Sequence, residues 1–114
     1  MSELANKLCI PCQGGVTPLL EDDCRSLLAQ LDEGWSLVET HHIEKEFEFS
    51  NFVEALAFVN RCGDLAEEVG HHPNLYIHNY KYVKIELWTH KIDGLVESDF
   101  ILAAKIEQLQ DINA

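Results

Sequence analysis

Three groups of residues in this chain have the types and spacing to move protons. They are Glu67-x-x-x-His71-His72-Pro73, Trp88-x-His90, and Asp99. Imidazole gives and takes protons near neutral pH, because its unperturbed pKa is about 6.5. Pro73 disfavours helical backbone at His72 and drives it extended. Successive side chains of extended backbone point to opposite sides, so the two imidazoles are expected to diverge. Gly70 is the residue type that tolerates the left-handed conformation just past a helix end. Glu67 lies one helical turn before His71, close enough to orient that ring. His90 shares side-chain parity with Trp88, and Asp99 falls where the dipole of a following helix favours a carboxylate. Two imidazoles on opposite sides of one substrate can act as acid and base in a single turnover. Each group also has a plainer reading: a helix end with exposed imidazoles, a histidine at a strand end, a helix cap. Zinc held by His71, His72 and His90 would suit the ligand types, but no HxH or HxxxH spacing supports it. His41, His42 and His78 have no acidic neighbour at useful sequence spacing and read as structural.

The elements that position these residues follow from hydrophobic periodicity. Leu20, Cys24, Leu27, Leu28 and Leu31 recur at helical spacing and predict a helix over 18–32, with Thr17 as cap and Pro18 in the first turn. Residues 35–40 and 44–49 read as two strands paired around His41-His42-Ile43. Ser50 is the expected cap of a long helix ending near Val69, with Phe52, Leu56, Val59, Gly63 and Ala66 on its apolar stripe. Leu75 and Ile77, then Val83, Ile85 and Leu87, predict a second hairpin around Asn79-Tyr80-Lys81. Leu95, Leu102, Ile106 and Leu109 mark a third helix. The order α-β-β-α-β-β-α predicts a single α+β domain over 17–114 after a flexible arm over 1–16. A four-stranded antiparallel sheet would carry three helices on one face. The other face, or an open edge strand, is left for self-association, so a homodimer or homotetramer is expected.

A net charge of −12 argues against direct nucleic-acid or anionic-membrane partners. No apolar run approaches the roughly 20 residues that span a bilayer, and the start MSELANK lacks a signal-peptide pattern, so the expected location is cytoplasmic. Reduced thiols are then the default for Cys9, Cys12, Cys24 and Cys62. Cys9-Ile10-Pro11-Cys12 is a lone CxxC, without the second ligand pair of a structural zinc site, whereas Cys24 and Cys62 fall within apolar helical patterns and read as small packing groups.

Glu67-x-x-x-His71-His72-Pro73, then Thr89-His90, Gly94-Leu95 and Asp99, together resemble the pterin-4a-carbinolamine dehydratase family. Phe47-x-Phe49, Asn51-Phe52, Ala55-Leu56-Ala57-Phe58 and the run from Asp99 to Ile106 match the same pattern, so the resemblance covers roughly residues 17–110. It implies loss of water from 4a-hydroxytetrahydropterin to give quinonoid dihydropterin, which recycles the cofactor of aromatic amino acid hydroxylases. A hydroxylase of the same pathway is thus an implied partner. The chemistry needs neither a metal nor an organic cofactor, the pterin being the substrate. By the resemblance, His71 and His90 form the acid/base pair, His72 holds substrate or pocket wall, and Glu67 orients His71. Asp99 supports the far side, Trp88 lines the site, and Pro73 fixes the chain's exit from the helix. Relatives also serve as non-catalytic dimerisation partners, which is the alternative reading. Val96 departs from the family's usual Ser or Thr, a capping-box position. The third helix is therefore expected to start later, with Ser98 as an alternative cap.

Overall fold

Alternating burial builds the two central strands. In β2 (His42–Glu48), Ile43 and Phe47 are buried while the acidic residues between them face out. In β4 (Tyr82–Leu87), Val83, Ile85 and Leu87 are each fully buried, and Tyr82, Lys84 and Glu86 face away. With β1 (Ser36–Val38) and β3 (Asn74–His78) they form an antiparallel sheet in the order β1-β2-β4-β3. The computed structural model describes residues 3–6 and 17–111. Its helices are α1 (Glu21–Leu28), α2 (Phe52–Val69) and α3 (Glu97–Asp111), with short 3-10 turns at Glu3–Asn6 and His90–Ile92. This is the expected α+β order.

Helix α3 sits at the centre: Phe100 to Ala104 and Ile106 are all buried, so it is apolar nearly all round over that stretch. Part of the expected N-terminal arm is docked there. Leu4 and Ala5 are buried against the core, and the Lys105 ammonium donates to the Ala5 carbonyl at 2.7 Å. Cys9, Cys12 and the rest of 7–16 lie outside the described residues. Cys24 and Cys62 are free and buried, as the apolar pattern implied. Burial pushes the Cys62 thiol up to about 12, so it packs as a neutral apolar group.

Several features differ from the sequence expectation. Helix α1 starts at Glu21 rather than 18, because the preceding segment runs extended and the Leu19 amide is tied to the Leu95 carbonyl at 2.8 Å. The first hairpin turns at Glu39-Thr40, both left-handed, ahead of His41-His42. Asn51, not Ser50, caps α2, its side-chain oxygen accepting from the Glu54 amide at 2.9 Å. The buried face of α2 is Ala55, Phe58, Cys62 and Ala66, which leaves Phe52, Val53 and Leu56 exposed.

Glu107 is an acid in this core. One of its oxygens accepts from the Trp35 indole and the Asp32 amide, each at 2.7 Å. Burial, the dominant influence, raises its pKa above the ordinary 4.5. The unfolded chain therefore ionises first as pH rises, and stability is lost from about that ordinary value upward to the folded one. Glu107→Gln keeps an oxygen for both donors. It is expected to raise the melting temperature by about 3 °C at pH 7 and to leave it unchanged at pH 4. Equal effects at both pH values in calorimetry would refute the charge argument.

Candidate active site

The site forms where α2 ends beside the end of β4. Gly70 adopts φ 71°, and its amide returns to the Ala66 carbonyl at 2.9 Å, closing the helix. A side chain at that φ would be strained. The amide of His71 reaches the same carbonyl at 3.2 Å. The reversal turns His71 inward, to 6% exposure, while His72 stays outside. The two imidazoles diverge, as the extended backbone before Pro73 required. Pro73 itself is half-buried.

His71 Nε2 lies 2.6 Å from Oδ1 of Asp99, a carboxyl with no exposed surface. The second oxygen of Asp99 accepts from the Thr89 hydroxyl and the Val96 amide, each at 2.9 Å. An ionised carboxylate has no hydrogen to give, so Nε2 carries the proton. Among the described residues no hydrogen bond reaches Nδ1. The lone pair of His71 therefore sits on Nδ1. Val96, lacking a hydroxyl, does not delay α3, which begins at Glu97. Asp99, inside the first turn, satisfies the Val96 amide, the reciprocal half of a capping box. Ser98 is buried within that turn and does not precede the helix.

The expectation that Glu67 orients His71 is overturned. Glu67 Oε2 is 2.6 Å from His72 Nε2, and both side chains are mostly exposed. Four-residue spacing would join Glu67 to His71 only if the helix continued, and the left-handed turn at Gly70 ends it. The carboxylate that orients His71 comes instead from 28 positions away.

His90 and Trp88 meet as parity suggested. Their rings stack with centroids 4.3 Å apart and planes 3° from parallel. Thr89 has the opposite parity and is buried, which aims its hydroxyl at Asp99. Thr89 is the residue to which the sequence reading gave no role, although its parity was the available signal. The Thr89 amide donates to the Gly94 carbonyl at 2.8 Å, closing the turn that carries His90. A Cβ on Gly94 would come within 2.8 Å of Pro18 Cβ, so the turn packs tightly against that segment. Gly70, His71, His72, Trp88, Thr89, His90 and Lys91 line an open cleft of about 400 Å³.

The histidines outside this cleft do have acidic partners, contrary to the sequence expectation. His41 Nε2 is 2.7 Å from Asp93, His42 Nε2 is 3.1 Å from Glu44, and His78 pairs with Glu46 across β2 and β3. The partners lie across strands, on the loop after β4, or two residues along one strand face. Helical spacing does not find them. Among the described residues, the His and carboxylate atoms close enough to share a cation belong to His42, Glu44 and Glu86. The Lys84 ammonium already stands 3.4 Å from Glu86 and 3.8 Å from Glu44.

Residues 17–109 match the family model described as pterin 4 alpha carbinolamine dehydratase. The chain belongs to the pterin-4-alpha-carbinolamine dehydratase family. A protein of Alkaliphilus metalliredigens, provisionally named as a dehydratase of this family, is 50% identical over 96% of this chain and 98% of its own. One from Rubrobacter xylanophilus, named likewise, is 52% identical over 96% of this chain and all of its own. Among solved structures, a transcriptional coactivator/pterin dehydratase from Brucella melitensis is 30% identical with a TM-score of 0.75, over 82% of this chain and 98% of that one. A pterin dehydratase-like RuBisCO assembly factor of the alpha-carboxysome is 26% identical with a TM-score of 0.58, over 68% of this chain and 89% of that one. Proteins of similar fold thus carry dehydratase, coactivator and assembly names.

Proposed function

We propose that this chain dehydrates 4a-hydroxytetrahydropterin to quinonoid dihydropterin and water, by histidine acid/base catalysis. The observation that carries the reading is the buried Asp99–His71 pair, whose imidazole lines the same cleft as His90. The C4a–O bond breaks, the N5–H bond breaks, and the N5=C4a double bond forms. His71 takes the N5 proton on Nδ1, and Asp99 stabilises the imidazolium that results. His90, exposed at the mouth, gives a proton to the departing hydroxyl, which leaves as water. One proton enters and one leaves, so the two histidines reset through solvent without net proton uptake. His72, paired with Glu67 on the rim, holds substrate, while Trp88 packs the cleft wall.

Neither step calls for a metal or an organic cofactor. The reaction belongs to tetrahydropterin recycling behind an aromatic amino acid hydroxylase, in the cytoplasm. The acidic surface and the free, buried thiols support that setting. Among the described residues no helix is long and apolar enough to cross a membrane. A homodimer or homotetramer is supported by the uncovered sheet face and the exposed Phe52, Val53 and Leu56 of α2. The same surfaces favour the second reading, a non-catalytic dimerisation or regulatory partner, which needs no proton-transfer residues.

The test is dehydration of chemically generated 4a-hydroxytetrahydropterin, followed at the quinonoid product's absorbance. Acceleration by the protein, unchanged after exhaustive chelation, is expected. Light scattering on the same preparation is expected to give two or four times 13.0 kDa, and a monomer would refute the assembly. A rate equal to buffer alone would move the assignment to the partner reading. Activity lost on chelation and restored by one stoichiometric metal would replace the mechanism.

A further inference from the structure

His90 is the weak point of this machinery. His71 is fixed by a buried carboxylate, but His90 is exposed, and among the described residues no hydrogen bond reaches its ring. An unrestrained imidazole on a surface turn samples several rotamers, and a proton donor displaced from its reacting atom loses much of its effect. The structure supplies a different restraint. Trp88 stands on the uncovered sheet face, two residues beyond the Glu44–Glu86 pair of the β2–β4 register, which places it across from His42. The indole lies flat on His90 at 4.3 Å. It is also in contact with His41 at 5.2 Å and His42 at 5.7 Å.

That bracing is itself anchored. His41 Nδ1 and His42 Nδ1 are 3.1 Å apart, and His42 continues to Glu44. His41 Nε2 meets Asp93 at 2.7 Å. Asp93 closes the 3-10 turn that begins at His90, its amide reaching the His90 carbonyl at 3.3 Å with φ 50°. The β1–β2 turn therefore grips both the ring on which His90 rests and the far end of the turn that carries it.

We propose that Trp88 is the positioning residue of His90, with His41 as its brace through the indole and Asp93. The inference rests on the dehydratase reading for its kinetic arm alone. Aromatic pairs prefer offset stacks to face-to-face sandwiches, and loss of this stack translates to at most about tenfold in rate. Trp88→Leu is expected to lower kcat by up to that factor. Trp88→Phe, which keeps a flat ring, is expected to retain most of it. His41→Ala, outside the cleft lining, should lower kcat a few-fold with KM unchanged, because an exposed pair contributes little. In a His90→Ala background neither Trp88→Leu nor His41→Ala should lower kcat further. A role for Trp88 confined to packing substrate would survive that background as a raised KM.

The second measurement needs no turnover. In the NMR spectrum of the full chain, the His90 ring protons should be shifted upfield by the indole ring current. Trp88→Leu should abolish that shift, and His41→Ala should reduce it. An unshifted His90 ring in the parent protein overturns the positioning role, whether or not the chain is a dehydratase. So does an undiminished Trp88→Leu effect on kcat in the His90→Ala background. A shifted ring in a protein without turnover would sink the dehydratase reading and leave the positioning intact.

Discussion

Asp99→Asn is expected to lower kcat by about 10²–10⁴-fold while leaving KM nearly unchanged. The reason is the hydrogen inventory around one side chain. Asp99 accepts from His71 Nε2, from the Thr89 hydroxyl and from the Val96 amide. An asparagine has one acceptor oxygen and an NH₂ group, so it cannot accept at both ends. If the NH₂ faces His71, Nε2 must become the acceptor and the proton moves to Nδ1, the atom proposed to take the substrate's proton. If the NH₂ faces Thr89 and Val96, the hydroxyl can turn to accept but the Val96 amide cannot, and the buried mismatch costs about 1–3 kcal/mol of stability. Thermal unfolding separates the two outcomes from simple unfolding of the variant. Thr89→Val removes a single donor and should reduce kcat far less. An Asp99→Asn protein that folds normally and turns over at near-parental kcat would remove His71 from the base role.

The second large effect belongs to the histidines themselves. His71→Ala and His90→Ala are each expected to lower kcat by about 10²–10⁴-fold. The double variant should fall less than the product of the two, because both serve one elimination and a concerted step fails once either end is missing. His72→Ala should act chiefly on KM. Its ring is exposed and its partner Glu67 is more exposed still, so nothing holds it at a reacting atom. The three can be compared in steady-state kinetics on one substrate preparation. A His72→Ala variant more damaged in kcat than His71→Ala would reverse the assignment. Strict additivity of His71→Ala and His90→Ala would place them in separate steps.

What the sequence determined by itself was whatever depends on neighbours along the chain. Period-two alternation in 44–49 and 82–87 was enough to assign β2 and β4 and their buried face. Gly70 and Pro73 were enough to end α2 and to send His71 and His72 apart. The shared parity of Trp88 and His90 foretold their contact, since side-chain direction on a strand is local. Helix phase was less secure. Phe52 and Leu56 fit the helical repeat but face solvent, because the sheet and α3 receive the neighbouring face through Ala55, Phe58 and Cys62.

The tertiary structure alone decided which carboxylate serves which imidazole. Sequence proximity joined Glu67 to His71, and the left-handed turn at Gly70 gave Glu67 to His72 instead. Asp99 reaches His71 because α3 threads the core beneath the end of α2. His41 and His78 found acids across strands and turns in the same way, whereas the partner of His42 is Glu44, two residues along β2. Hydrogen bonds depend on distances of about 3 Å between atoms. Spacing along a chain reports such distances only within one continuous helix or strand, and this site is assembled from the ends of three elements.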